Sequence, residues 1–506
     1  MTPMGKAIIG EAVVSAQAMA EGEKTAIREG DGTAAVYMQT AAENIASIIR
    51  DLIEAESLPH QVLLLCAKGN NSGDAYAAGC LLLEAGIAVT AYQFVTLDQC
   101  SALTQHHAAR FLETQGHFVE VGGCHHLNIP ADVLIVDGLY GTGFQGTIEG
   151  VIAEAITKVN AMKNPLLSID IPSGVSGDDG KVSGPAIQAD WTIALGQYKV
   201  GHFLDRGYEH VGVLYKVDFG MSKACLDAIE AFAHIVHPAV AQYLPQRERK
   251  AHKYSVGEVV VVGGGMGMSG AGVLASYAAL RSGAGIVRWY YPASCKEVIQ
   301  VPYEVICLPY EKVEDIQQEL LRAKALLLGP GMGRSAKVPI ILNALLKGVE
   351  VPVVLDADAL HYFSELQLDR AQVILTPHAG ELAHLLGSEE SLGECERLCR
   401  AQAFAEEHKV VIVCKGAPTV VITPRREKII IPYGNPGMAT AGAGDVLAGI
   451  ISSLLAQGTE LHIAAVLGCV IHGSAGDRAK EIYSDRALVA SDLIDSLPEV
   501  FKSLEK

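Results

Sequence analysis

The chain has 506 residues, half of them hydrophobic and 19% charged, with 52 glycines and a formal net charge of −18. That length exceeds one ordinary core and predicts at least two domains, and the acidic balance excludes a basic nucleic-acid-binding surface. The 11 cysteines are scattered through apolar segments, and the close pair Cys395 and Cys399 has no matching His/Cys set for zinc. Reduced thiols and the lack of a charged-then-apolar leader point to the cytoplasm. Residues 259–280 carry no charge and are long enough to test as a membrane span. Gly263-Gly264-Gly265 interrupts them, so strand, loop and helix is the better reading.

In chain order, residues 11–55 are expected to be helical, with Val36, Ile45, Ile48 and Ile49 among their apolar positions. Residues 62–66 read as an apolar strand. They run into Gly69-Asn70-Asn71-Ser72-Gly73-Asp74 and an Ala-rich helix over 75–85. Two further strands end in aspartate: Asp137, followed by Gly141-Thr142-Gly143-Phe144-Gln145-Gly146, and Asp170, followed by Pro172-Ser173-Gly174. Ligands of α/β sheets bind at the carboxyl ends of strands, and a polar loop opening a helix aims its N–H groups at anions. Asp, Asn and Gly also cap strands as plain turn chemistry, but three such loops in register favour one shared site. Residues 221–250 lose this rhythm. Their charge run Pro245-Gln246-Arg247-Glu248-Arg249-Lys250 reads as a solvated connector.

The second half resumes with a strand over 258–262 and Gly265-Met266-Gly267-Met268-Ser269-Gly270, a G-x-G-x-x-G match. The next strand ends in Trp289-Tyr290-Tyr291, without the acid that a redox dinucleotide site needs. Four more strands lead into Gly329-Pro330-Gly331-Met332-Gly333, Asp356-Ala357-Asp358, Thr376-Pro377-His378-Ala379-Gly380-Glu381 and Lys415-Gly416-Ala417-Pro418-Thr419. Alone, His378 reads as a structural histidine and Lys415 as a surface lysine; at aligned strand ends both are ligand candidates. The small-residue loop from Asn435 through Gly442-Ala443-Gly444-Asp445 then opens an apolar helix over 446–455. Its amides and helix dipole form an anion cradle. A carboxylate there cannot ligate phosphate, so Asp445 is expected to act as general base for a hydroxyl attacking the phosphate. The plainer alternative is an acid stabilising a helix start.

The first-half motifs, continuing through Lys199-Val200-Gly201, resemble the NAD(P)H-hydrate epimerase domain. The resemblance implies a Rossmann-like three-layer α/β sandwich over residues 1–225. Asn70, Asn71, Ser72, Gly73, Asp74, Gly141, Thr142, Gly143, Phe144, Gln145, Gly146 and Thr147 would hold the hydrated dinucleotide, and Asp170 would be the acid/base that contacts it. Asn71, Asp137 and Ser173 would ligate potassium through oxygen. The family usually has a second Gly where Ser72 stands, and Glu and Gly where this chain has Gln39 and Ala42.

The second-half motifs, six in family order, resemble the ribokinase-like NAD(P)H-hydrate dehydratase. A second three-layer sandwich is expected over 251–506, after a linker at 226–250. Ala271, Gly333 and His378 would meet the hydrated nicotinamide nucleotide. Lys415, Gly416, Ala417, Pro418, Thr419, Asn435, Gly442, Ala443 and Gly444 would meet ADP or ATP with Mg2+, and Asp445 would be catalytic. Ala443 stands where Thr is usual, and Ala379 where Pro is usual. Together the halves imply a bifunctional enzyme of metabolite repair. It would interconvert R and S hydrates and dehydrate the S form through phosphorylation of its C6 hydroxyl. Its partners would be NAD(P)H hydrates and ADP or ATP, with no nucleic acid or membrane, and self-association into a homo-oligomer is expected. A small-molecule kinase of vitamin or sugar type, with an N-terminal nucleotide-binding regulatory domain, is the alternative.

Overall fold

In the computed structural model the described residues are 8–123, 127–295, 300–368, 372–387 and 392–505. They divide into two compact units. One holds Ala12–Ala233 with Gly393–Cys395; the other holds His234–Leu392, Glu396–Lys506 and the N-terminal residues up to Glu11.

The sheet of the first unit is parallel throughout, because each strand is followed by a crossover segment. Its strands lie in the order His117–Glu120, Ala88–Gln93, Gln61–Cys66, Leu134–Gly138, Leu166–Ile169, Trp191–Leu195 and Val213–Val217. The central strands are buried on both faces and therefore read as unbroken apolar runs, such as Val62 to Cys66. The order reverses between Gln61–Cys66 and Leu134–Gly138, and ligand crevices of doubly wound sheets open at such a reversal.

Two expectations need correction here. Residues 11–55 are not helical throughout: Ile9–Val14 is a strand, and Ala16–Glu29 and Ala34–Ala55 are separate helices. Ser15 starts the first helix by accepting the Ala18 N–H at 3.0 Å, and Gly30 ends it at φ 86°. The polar stretch after Gly69 is not a free loop. Helix Asn70–Glu84 begins at once, with Gly69 as its cap, so Asn70 to Asp74 form its first turns.

The second unit contains a run of parallel strands in the order Ile306–Tyr310, Ile286–Pro292, Glu258–Val262, Ala325–Leu328, Val353–Leu355, Val373–Leu375 and Val411–Cys414. Antiparallel Thr419–Ile422 and Lys428–Ile431 follow. Strand Ala233–Val236 pairs in parallel with Lys428–Ile431, so part of the expected 226–250 connector is built into the sheet. Register aligns Val262, Leu328, Leu355 and Leu375. The loops that begin at Gly263, Gly329, Asp356 and Thr376 therefore leave one edge together.

Helix Ala443–Ala456 is apolar almost all round, as a fully buried helix must be. A Cβ at Gly449 would lie 2.2 Å from the Ala275 carbonyl oxygen, so glycine is what lets this helix cross Ser269–Arg281. Among the described residues no helix is long and apolar enough to cross a membrane. The uncharged run at 259–280 resolves into a strand and a helix.

Candidate functional site

The reversal in the first sheet opens onto a cavity of about 660 Å³. Of the residues expected there, Asn70, Asn71, Asp74, Gly141, Thr142, Gly143, Phe144, Gln145 and Asp170 line it. Ser72, Gly73, Gly146 and Thr147 do not. Ser72 is fully buried; its hydroxyl accepts the Ala67 N–H and donates to the Gly138 carbonyl, both at 2.7 Å. It ties two strand ends together where the family usually has glycine. Gly73 packs on Met38 and Thr104.

Asp170 is held from several directions. Its Oδ2 accepts from the Thr142 amide and hydroxyl, at 3.1 and 2.9 Å. Its Oδ1 meets Lys199 Nζ at 2.6 Å, and the ammonium also donates to the Leu195 carbonyl at 2.7 Å. His202 Nδ1 accepts the Lys199 N–H, so its Nε2–H donates to the Asp170 carbonyl at 2.8 Å. That grip holds Asp170 at φ 65°, a left-handed conformation costing about 1–3 kcal/mol for a non-glycine residue and concentrated at active sites. Burial alone would raise the Asp170 carboxyl; Lys199 and the Thr142 amide overcome it and hold the group below its usual range. Burial drives His202 down to about 4, so it is neutral. Asp74 goes the opposite way, pushed well up by burial and by the charges of Asp170 and Glu23.

Behind the cavity wall, Asp137 is fully enclosed and accepts four bonds: from Leu139 N, Ser168 Oγ, Ser173 N and Ser173 Oγ. Among the described residues the Asn71 amide Nδ2 is buried without a hydrogen-bond partner. Lys199 and Glu23 also line the cavity, and residue-by-residue reading passed over both as site residues. Lys199 stood inside a quoted motif; Glu23 lies on a helix that offered no motif at all.

In the second unit, Gly442 caps helix Ala443–Ala456 at φ 93°, and Asp445 lies in the first turn. Lys415 Nζ donates to Asp356 Oδ1 at 3.0 Å and lies 3.7 Å from Glu381 Oε2. A Cβ at Gly444 would stand 3.2 Å from that ammonium. Lys415 is thus turned toward the helix start and the acids around it. Thr376 Oγ1 donates to Asp356 Oδ1 at 2.6 Å. Burial raises the Asp445 carboxyl to about 7; the charge of Asp356 adds to this and Lys415 opposes it.

The other expected residues make local contacts on the loops and helix starts of the same unit. The Gly333 N–H donates to Asp358 Oδ2 at 2.8 Å, and Ala271 packs 3.2 Å from a Cβ position at Gly331. His378 caps helix Ala379–Leu385, its Nδ1 accepting from Gly380 and Glu381, which leaves Nε2 to carry the proton. Thr419 Oγ1 donates back to the Gly416 carbonyl across Ala417 and Pro418. Asn435 caps its own turn and donates to Asp477 Oδ1 at 3.1 Å. The Ala443 carbonyl accepts from His472 Nε2 at 2.9 Å. In the sequence Asp356 and Glu381 are only parts of loops, because their convergence on Lys415 needs strands far apart along the chain.

Residues 259–499 match the family model described as NAD(P)H-hydrate dehydratase, and residues 34–201 match the YjeF-related protein N-terminus. The bifunctional NAD(P)H-hydrate repair enzyme of Moorella thermoacetica is 33% identical, over 98% of this chain and 97% of its own length. The chain belongs to the bifunctional NAD(P)H-hydrate repair enzyme family. The repair enzyme of Coxiella burnetii is 34% identical over 86% of this chain and 89% of its own length. The ADP/ATP-dependent NAD(P)H-hydrate dehydratase of Bacillus subtilis, co-crystallised with ATP and Mg2+, is 29% identical. It covers 53% of this chain and 96% of its own, with a TM-score of 0.47. Both halves that define the repair-enzyme family are therefore present, in the order the motifs predicted.

Proposed function

We propose that the chain repairs hydrated NAD(P)H. The first unit interconverts the R and S hydrates at the Asp170 cavity. The second dehydrates the S form at the expense of ADP or ATP. The observation that carries this reading is Asp445: a carboxyl raised to about 7 in the first turn of a helix whose start is an anion cradle.

A base with that affinity for protons is half deprotonated at neutral pH, which is the useful range for general catalysis. Asp445 takes the proton of the C6 hydroxyl as that oxygen attacks the terminal phosphate. Backbone amides at the helix start, with Lys415 beside them, stabilise the phosphoryl charge. Phosphate then leaves from C6, pushed by the ring nitrogen, and loss of a C5 proton restores the reduced ring. Asp358 and Glu381 offer carboxylate oxygens of the kind Mg2+ prefers when it arrives on a nucleotide. The bound ion would neutralise phosphate charge.

In the first unit, Asn71, Asp137 and Ser173 fit a potassium ion by donor chemistry. The Asn71 side-chain oxygen, the Asp137 carboxylate and the Ser173 hydroxyl are hard oxygen donors, and Asp137 is already joined to Ser173. Such an ion would supply a fixed positive charge beside the dinucleotide. Purified protein given ADP and R or S hydrate of NADH, followed at the absorbance of reduced nicotinamide, tests the whole reading. A stable phosphorylated product without recovered NADH would overturn it.

A further inference from the structure

The cavity of the first unit is lined by three carboxyl groups, Asp170, Asp74 and Glu23, and by two ammonium groups, the buried Lys199 and the exposed Lys68. Lys199 is spent on Asp170, which it meets at 2.6 Å and keeps ionised. Asp170 is therefore a base and a poor proton donor. Epimerisation through water loss and readdition needs both functions. A proton must reach the departing C6 hydroxyl, and another must be taken from the water that enters on the other face.

Glu23 is the carboxyl suited to the donor's part. It projects from helix Ala16–Glu29 into the cavity wall. Among the described residues its carboxyl takes no hydrogen bond. Burial and the charge of Asp170 raise its proton affinity, which Lys199 and Lys24 oppose. Asp74, also raised, lies in the first turns of the binding helix and is only 7% exposed. Glu23 is less enclosed, so it can exchange its proton with solvent between turnovers. Helix Ala16–Glu29 lies outside residues 34–201, the stretch that matches the family model for this half.

Resting on the repair reading above, we infer that Glu23 is a second acid–base residue of this cavity. It protonates the C6 hydroxyl while Asp170 accepts a proton from the incoming water. The step balances. The C6–O bond breaks, its pair leaves with water, and the N1 lone pair closes an N1=C6 iminium. A second water then forms a new C6–O bond on the opposite face, pushes the pair back to N1 and yields its proton to Asp170. Glu23 loses the proton that Asp170 gains, so the reverse direction starts from the swapped state.

The test is Glu23→Gln in the full chain, given R hydrate of NADH with ADP, and separately S hydrate with ADP. Loss of an acid–base group slows turnover by about 10²–10⁴-fold. R consumption should fall at least about a hundredfold, while S dehydration by the other unit holds. Glu23→Asp should recover part of the loss. In the wild type, each R-to-S conversion in ¹⁸O water should place one labelled oxygen at C6. R turnover by Glu23→Gln within about threefold of wild type overturns the inference, as does retention of the original C6 oxygen through epimerisation. An Asp74→Asn variant that alone abolishes R turnover would give the donor's part to Asp74 instead. A wild-type protein that consumes S but never R would sink the epimerase reading itself, which is a different result.

Discussion

Lys199 Nζ and Asp170 Oδ1 stand 2.6 Å apart in a site where both side chains are almost sealed from solvent. Removing one partner of such a pair leaves a buried charge without compensation, at about 3–5 kcal/mol. Lys199→Met should therefore lose that much stability at neutral pH, and adding Asp170→Asn should restore most of it. The sign of the pH dependence follows from the depressed Asp170 carboxyl. Its stabilising contribution is present above the unfolded value of about 4 and is lost as pH falls through the folded value. Denaturant titrations at several pH values measure this. A Lys199→Met penalty under about 1 kcal/mol would show that the pair does not act as described.

Asp170→Asn on its own should abolish conversion of the R hydrate and leave dehydration of the S hydrate unchanged. The substitution keeps the Thr142 contacts possible and removes the base. Equal R turnover by variant and wild type would contradict the assignment.

The potassium proposal has a direct structural check. Crystals grown with rubidium or thallium in place of potassium should show anomalous density among Asn71, Asp137 and Ser173. Asp137→Asn should remove that density. Density elsewhere, or none at all, counts against the site.

Asp445→Asn should stop dehydration by at least about a hundredfold, while ADP binding holds or tightens because a negative charge beside the phosphate is gone. The wild-type rate should climb with pH through about 7, since only the deprotonated group is a base. That limb should be missing in the variant. Stability moves the other way. A carboxyl raised by burial destabilises the folded state as it ionises, so wild-type stability falls between the unfolded value near 4 and the folded value. The variant should accordingly melt closer to, or above, the wild type at pH 8 than at pH 5. A variant within about tenfold of wild-type turnover would shift attention to Asp358.

Lys415 opposes the rise of the Asp445 carboxyl and lies against the start of the same helix. Lys415→Ala should weaken nucleotide binding and also move the dehydration limb to higher pH. Weaker binding with an unmoved limb would confine Lys415 to the nucleotide.

Sequence alone determined the strand–loop–helix order, the two families of motif and the acids placed at a strand end or a helix start, Asp170 and Asp445 respectively. Those features are local. A glycine-rich turn and an apolar run are written in neighbouring residues, and parallel pairing then brings strand ends to one edge. It also carried two misreadings at the same scale. Ile9–Val14 is too short to break an apparent helical pattern, and Asn70 to Asp74 have loop composition inside a helix.

Only the tertiary structure decided what each side chain faces. It turned Ser72 into the sheet, brought Lys199 onto Asp170 across 29 positions, and placed Glu23 on the wall of the same cavity. It also set the opposite proton affinities of Asp170 and Asp445. One is a buried aspartate paired with a buried lysine, and the other is a half-buried aspartate at a helix start among further acids. The physical reason is that desolvation and charge act through space at a few ångströms, between groups whose separation along the chain says nothing about their distance in the fold.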